Sequence, residues 1–257
     1  MKSIFSRTLV TIVVLSIILS GCQKMNEQGE KPRLSLFVGM DISGSFMNSG
    51  YFDNGIDFVA HYLYAHLNGL GGLEKPNVLF VGSIGGAAEG EAKTFYPVQT
   101  FANMPIEAIA ARLREVFPKE SLNVFTDYNA FFEKVARTVK DKNLLMRPIS
   151  IVLISDGVPD VNSETVTDIR SIHVQPLERL ARSVTIRLLY TNPVTGKEWQ
   201  TKVKRQRVKI WTQDAEVMKA WQDSTLLVPG KPFAEQSMFF DWVKDNVDFG
   251  VRGSRVR

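Results

Sequence analysis

Residues Arg33–Ser45 read RLSLFVGMDISGS. Seven apolar or small residues, Leu34–Met40, run without a charge and break off into Asp41-x-Ser43-x-Ser45. A short, near-continuous apolar run of this kind predicts a strand buried on both faces. The polar triplet then marks the turn at its carboxyl end. Ile149–Ser155 (ISIVLIS) repeats the pattern and is followed by Asp156-Gly157, so a second buried strand also delivers a carboxylate at its end. Two such strands in one chain argue for an α/β domain with a largely parallel sheet.

Working outward, Asn77–Gly82 (NVLFVG), Ser183–Tyr190 (SVTIRLLY) and Val208–Thr212 (VKIWT) predict further strands. Thr94–Phe101 (TFYPVQTF) alternates but contains Pro97, which cannot donate to a ladder, so it is expected at a sheet border. It lies beyond a loop at 85–93 and is expected to pair antiparallel with Asn77–Gly82. Helical spacing at 54–68 places Ile56, Val59, Leu63 and Leu67 on one side, with Gly69 as the stop. Residues 105–117 open on Pro105, 128–141 carry Phe132, Val135 and Val139 on a stripe, and 214–222 and 234–246 are helical near the end. Residues 166–182 read as a helix broken at Pro176. Segment 192–207 reads two ways, as a helix capped by Asn192-Pro193 or as a strand alternating Trp199, Thr201 and Val203; an irregular segment with some helix is expected. The fold class is α/β, a doubly wound, mostly parallel six-stranded sheet with helices on both faces.

In Asp41-Ile42-Ser43-Gly44-Ser45, three oxygen-bearing side chains on alternate residues of a tight turn can converge on one point, and they suit a hard cation such as Mg²⁺ or Mn²⁺. The competing reading is a polar turn whose aspartate and serines cap the next helix. Asp156 adds a second carboxylate at a strand end, and Thr126, before the 128–141 helix, adds a hydroxyl unless it merely caps that helix, a role for which Asp127 is the rival. Ligands of open α/β sheets sit at the carboxyl ends of the strands, where the strand order reverses, so the five side chains meet if the two buried strands are neighbours.

The set Asp41, Ser43, Ser45, Thr126 and Asp156 resembles the metal-ion-dependent adhesion site of von Willebrand factor type A domains, and the resemblance spans about residues 33–246 in element order. Val124 stands where a glycine is often found. The resemblance implies a Rossmann-type strand order 3-2-1-4-5-6 with the third strand antiparallel at one border. It also implies direct ligation by the serines and threonine, with the aspartates acting largely through water. A divalent cation so held keeps an open position for an anionic oxygen, supplied in that family by a Glu or Asp of a partner protein.

The amino terminus predicts export. Lys2 and Arg7 precede thirteen uncharged residues, Thr8–Ser20, shorter than the ~20 apolar residues that span a bilayer. Leu19-Ser20-Gly21-Cys22 resembles the bacterial lipobox, which implies cleavage before Cys22 and diacylation of its thiol. Gln23, not Asp, follows, which resembles the pattern directed to the outer membrane. The expected layout is a signal peptide over 1–21, a lipidated cysteine and polar tether over 22–32, a von Willebrand A-like domain over 33–250, and a basic tail over 251–257. The expected location is the bacterial envelope, lipid-anchored and facing the periplasm.

Composition agrees with a globular domain: 257 residues, 44% hydrophobic and 23% charged, with one cysteine, which excludes an intrachain disulfide and a cysteine-rich zinc site. The net charge of +4 allows an anionic partner without demanding one. His61 and His66 are five residues apart, off the four-residue spacing of a zinc-binding helical pair. Gly82–Gly86 lacks dinucleotide-loop spacing. No G-x-S-x-G, Ser-x-x-Lys or phosphate-loop motif occurs. The basic run Lys202, Lys204, Arg205 and Arg207 reads as a solvated face or as a contact for anionic head groups or an acidic partner. Trp199, Trp211, Trp221 and Trp242 read as packing residues. Neither nucleic acid nor a small-molecule cofactor is expected. The leading expectation is a lipid-anchored, non-enzymatic protein-binding module; the alternative is a metal-dependent hydrolase at the same cation, with Asp127 and Asp160 as the nearby spare carboxylates.

Overall fold

The computed structural model of the chain describes residues 32–84, 94–119, 125–160 and 168–249. The expected signal peptide with Cys22, the loop 85–93, Val124 and the basic tail 251–257 lie outside the described residues.

Six strands form one sheet in the order β3-β2-β1-β4-β5-β6. They are β1 (Ser35–Met40), β2 (Val78–Ser83), β3 (Phe95–Pro97), β4 (Ile149–Ile154), β5 (Val184–Thr191) and β6 (Val208–Asp214). All neighbours are parallel except β2 and β3, where Phe80 faces Pro97 and Gly82 faces Phe95. Pro97 therefore stands on the border strand, where its missing N–H costs no ladder bond. The strand order and the single antiparallel border strand are those that the von Willebrand resemblance implies.

Every residue of β1, β4 and β5 is buried, as their apolar runs require, whereas β6 alternates buried and exposed positions at the other border. On β1, Leu36, Val38 and Met40 point to one face and Phe37 to the other, the period-two consequence of the pleat. The first face packs on α2 (Phe52–Asn68), α3 (Ile106–Val116) and α7 (Ser237–Asn246), through Ile56, Leu63, Ile109, Leu113 and Phe240. The second packs on α4 (Tyr128–Asp141) and α5 (Pro193–Lys202), through Phe132, Val135 and Trp199. Two short helices are also present among the described residues: α1 (Gly44–Asn48), which includes Ser45, and α6 (Ala215–Lys219). Gly69 ends α2 in the left-handed conformation at φ 63°, which a residue with a side chain would adopt at a cost. Among the described residues, no helix is long and apolar enough to cross a membrane.

Three expectations are corrected. The helix over 166–182 does not form in the described part: only 3₁₀ turns at Ile169–Ser171 and Gln175–Leu177 exist there. The Asn129 side chain accepts from the His173 N–H and donates to the Ser171 carbonyl, taking the place of a helical ladder. Ile172, Val174, Leu177 and Leu180 are buried by this irregular path. Segment 192–207 is more regular than expected, because Asn192 Oδ1 accepts from the Val194 and Thr195 N–H groups and Pro193 opens a ten-residue helix. Among the tryptophans, Trp199 and Trp221 are buried and Trp242 is half-buried, but Trp211 is 37% exposed on border strand β6, against Phe249.

Candidate metal centre at the carboxyl edge of the sheet

β1 and β4 are neighbours in register, Met40 beside Ile154, so Asp41 leaves the sheet level with Ser155, and Asp156 follows one residue later. The Asp41 N–H donates to the Ile154 carbonyl at 2.9 Å, extending the ladder one residue and fixing the carboxylate at its end. Asp41 is completely buried. Its Oδ1 accepts from the Ser43 N–H at 2.9 Å and from Thr126 Oγ1 at 3.4 Å; its Oδ2 accepts from Ser155 Oγ at 2.5 Å.

Ser43 and Ser45 do not act as helix caps. Ser43 occupies the N-cap position of α1, yet its side chain makes no capping bond; its hydroxyl lies 3.2 Å from that of Ser45 instead. Thr126 is likewise free of capping duty, because Asp127 Oδ1 accepts from the Ala130 N–H and caps α4. The Thr126 main chain is held by an isolated antiparallel bridge, its N–H donating to Asp160 O at 2.6 Å and its carbonyl accepting from the Asp160 N–H at 3.1 Å. Asp156 is half-buried, with Oδ1 accepting from the Val158 N–H at 3.0 Å. Ser45 is exposed while Ser43 and Thr126 are buried, so the cluster opens to solvent on the Ser45 side.

Asp41 and Asp156 act on each other as neighbouring carboxylates. Burial pushes the Asp41 carboxyl up to about 6, the Ser155 hydroxyl opposes that rise, and the charge of Asp156 adds to it. Burial raises Asp156 as well, against the Val158 N–H and the Ser45 hydroxyl. The donor set fits Mg²⁺ or Mn²⁺ on two grounds. Two oxygens at right angles around Mg²⁺, at contacts of ~2.0–2.1 Å, lie roughly 3 Å apart, near the Ser43–Ser45 spacing of 3.2 Å. The paired carboxylates also supply negative charge that a divalent ion would neutralise. Among the described residues no group of three or more His, Cys, Asp or Glu is placed to hold a metal ion.

Two residues that sequence reasoning missed hold Asp41 in place. Ser155, the last residue of the apolar run, donates a hydrogen bond to Asp41 Oδ2 and accepts from the Gly157 N–H at 3.0 Å. Tyr128 reaches Ser155 Oγ at 2.5 Å. Its phenol is pushed well above the usual range by burial and then by the charges of Asp41 and Asp156. It therefore stays protonated and donates, giving a relay from Tyr128 through Ser155 to Asp41. The available signal was Ser155 itself, a hydroxyl closing a hydrophobic strand. Trp199 completes the support, with Nε1–H donating to Gly157 O at 2.7 Å and its ring edge-on to Tyr128 at 4.8 Å.

The other candidates resolve as packing. His61 bonds through Nδ1 to the Asp57 carbonyl of its own helix and lies against Trp221; burial lowers its pKa. His66 is buried, with Nδ1 on the Glu74 carbonyl and Nε2 3.4 Å from Asp248. Gly82 belongs to β2, with Phe95 close against it, and Gly85 and Gly86 lie outside the described residues.

No protein-family model matches the chain, and no curated protein matches it. Among solved structures, proximal thread matrix protein 1 from the mussel byssus, in a form with a zinc-occupied MIDAS motif, is similar at 12% identity over 84% of this chain and 48% of that one, with a TM-score of 0.44. The human COPII-coat protein Sec24c is similar at 10% identity over 79% of this chain and 33% of that one, TM-score 0.43. The pilus adhesin SpaC from Lactobacillus rhamnosus GG, in an open conformation, is similar at 13% identity over 87% of this chain and 31% of that one, TM-score 0.46. The chain thus spans less than half the length of each of these solved chains.

Proposed function

We propose that this is a lipid-anchored protein of the bacterial envelope that binds a protein partner through a divalent cation held by Asp41, Ser43, Ser45, Thr126 and Asp156. The observation that carries the reading is that the Thr126 hydroxyl donates to the buried carboxylate of Asp41, while the Ser43 hydroxyl, at an N-cap position, makes no capping bond and lies beside that of Ser45.

Ser43, Ser45 and Thr126 would hold the ion through their hydroxyls, and Asp41 and Asp156 would stand behind as the charged outer layer. A bound Mg²⁺ or Mn²⁺ supplies an electrophilic position for a carboxylate oxygen. The chain's own work is to keep that position aimed at solvent: Ser155 and Tyr128 fix Asp41, the Asp160 bridge fixes Thr126, and the exposed Ser45 leaves an approach for an Asp or Glu side chain. Anchoring through a diacylated Cys22, with the domain facing the periplasm, rests on the sequence Leu19–Cys22 behind a short apolar segment.

The test is capture from detergent-solubilised envelopes by the full chain. A specific partner should bind in Mg²⁺ or Mn²⁺, release in EDTA, fail to bind Asp156→Ala, and lose binding when one of its own carboxylates is changed to the amide. Capture that ignores EDTA and Asp156→Ala contradicts the proposal. Cation-dependent ester or phosphate hydrolysis that disappears in Asp160→Ala would favour the hydrolase.

A further inference from the structure

The parallel strands start level with one another: Ser35, Ile149, Val184 and Val208 are register partners across β1, β4, β5 and β6. An arginine stands one or two residues ahead of each of them, namely Arg33, Arg147, Arg182 and Arg207. Three are exposed and Arg147 is half-buried. The starting edge of the sheet thus carries four arginines, with the acid Glu74 beside Arg33 accepting from the Leu34 N–H at 3.2 Å, and lies opposite the edge that carries Asp41 and Asp156.

Beside this rim lies a groove of about 770 Å³ whose charged lining includes Lys140, Arg179, Lys204 and Arg205. Its acid, Glu178, has both oxygens occupied at 2.7 Å by the main-chain N–H groups of Gln206 and Arg207. Leu145 and Met146, 49% and 57% exposed, project at the same place. The described residues begin at Pro32, directly before Arg33, so the first described residue stands at the basic edge. At ~3.3–3.6 Å per residue, the ten residues between Cys22 and Arg33 reach no further than roughly 36 Å.

From these juxtaposed features we propose that the basic rim and its groove are a membrane-facing surface that docks on anionic phospholipid head groups, with Leu145 and Met146 set among them. Basic side chains clustered near a membrane attachment point are attracted by anionic lipids, and exposed apolar side chains among them add interfacial contact. Docked this way, the protein carries its cation site on the side away from the bilayer. The orientation rests on the anchored reading above; the charge pattern does not depend on the cation.

The experiment places the full, acylated chain on vesicles of neutral phosphatidylcholine and on vesicles that also contain phosphatidylglycerol. Exposed amines are labelled with an acetylating reagent and the rates are read by mass spectrometry. Lys140, Lys142 and Lys204 should be protected several-fold on the anionic vesicles alone, while Lys119 and Lys219, paired with Asp53 and Glu216 at the opposite edge, should not change. Protection should vanish in about 1 M salt, where the Debye length is ~3 Å. It should also vanish in the double variant Arg182→Glu/Arg207→Glu, and persist in EDTA. Equal labelling on both vesicle types, with the chain still floating with the vesicles, overturns the proposal and points to a soluble acidic protein as the occupant. Failure to float with neutral vesicles, with anionic protection intact, would contradict the anchor and leave the docking surface standing.

Discussion

Asp41 is expensive to keep. Its carboxyl is raised from 3.8 to about 6 by burial, so in the cation-free protein its contribution to stability is fully present below pH ~4 and is lost as pH rises through ~6. At ~1.4 kcal/mol per pKa unit the loss is about 3 kcal/mol. Asp41→Asn removes the ionisation. In EDTA the variant should therefore be more stable than wild type at pH 7.5 by about that amount, and the two should converge near pH 4; urea midpoints across this range check it. The reverse order at pH 7.5 would mean that the buried charge is already compensated by the protein. Ser155→Ala acts in the other direction. It leaves Asp41 Oδ2 without its donor and should cost about 1–3 kcal/mol while weakening cation uptake, measured by denaturation and by titration of the ion.

At the scale of elements, the site depends on the turn after β4. Gly157 has φ 83°, and a Cβ there would meet Leu188 at 2.9 Å and Thr195 at 3.0 Å. Gly157→Ala should thus destabilise by about 2–4 kcal/mol, combining left-handed strain with overpacking, and should loosen the bond to Trp199. A thermal midpoint unchanged from wild type would show that this turn is slack. The same scale shows what could be read from the sequence. β1 and β4 were legible because uninterrupted apolar runs admit few alternatives, and the polar ends of those runs pointed at Asp41 and Asp156. Pro97 disclosed the border strand by the donor it lacks. The path through 169–180 was not legible, because its main-chain bonds go to Asn129, some forty residues away in sequence. Helix α5 was obscured because it buries only Thr195, Gly196 and Trp199, too few for an apolar stripe. The Tyr128–Ser155 relay was hidden for a related reason: a tyrosine at a helix start and a serine at a strand end have no sequence relation that announces their contact.

For the whole molecule, the parallel sheet sets two unlike ends: carboxylates and hydroxyls where the strands finish, arginines where they start. With the proposed anchor at the starting end and the proposed cation site at the finishing end, the chain would hold a partner away from the membrane. Replacing Cys22 by Ser should leave an unprocessed or mislocalised chain, seen by membrane fractionation and intact mass; a Cys22→Ser form that is still cut and acylated would remove the anchor from this account. The central claim is that five side chains at the finishing end hold a divalent ion, and calorimetric titration of Mg²⁺ and Mn²⁺ into wild type and Asp41→Ala tests it most directly. Wild type should bind one ion, and Asp41→Ala should remain folded by circular dichroism and bind none. Equal binding by the variant, or no binding by wild type even with its protein partner present, would contradict the claim and leave the cluster as a turn.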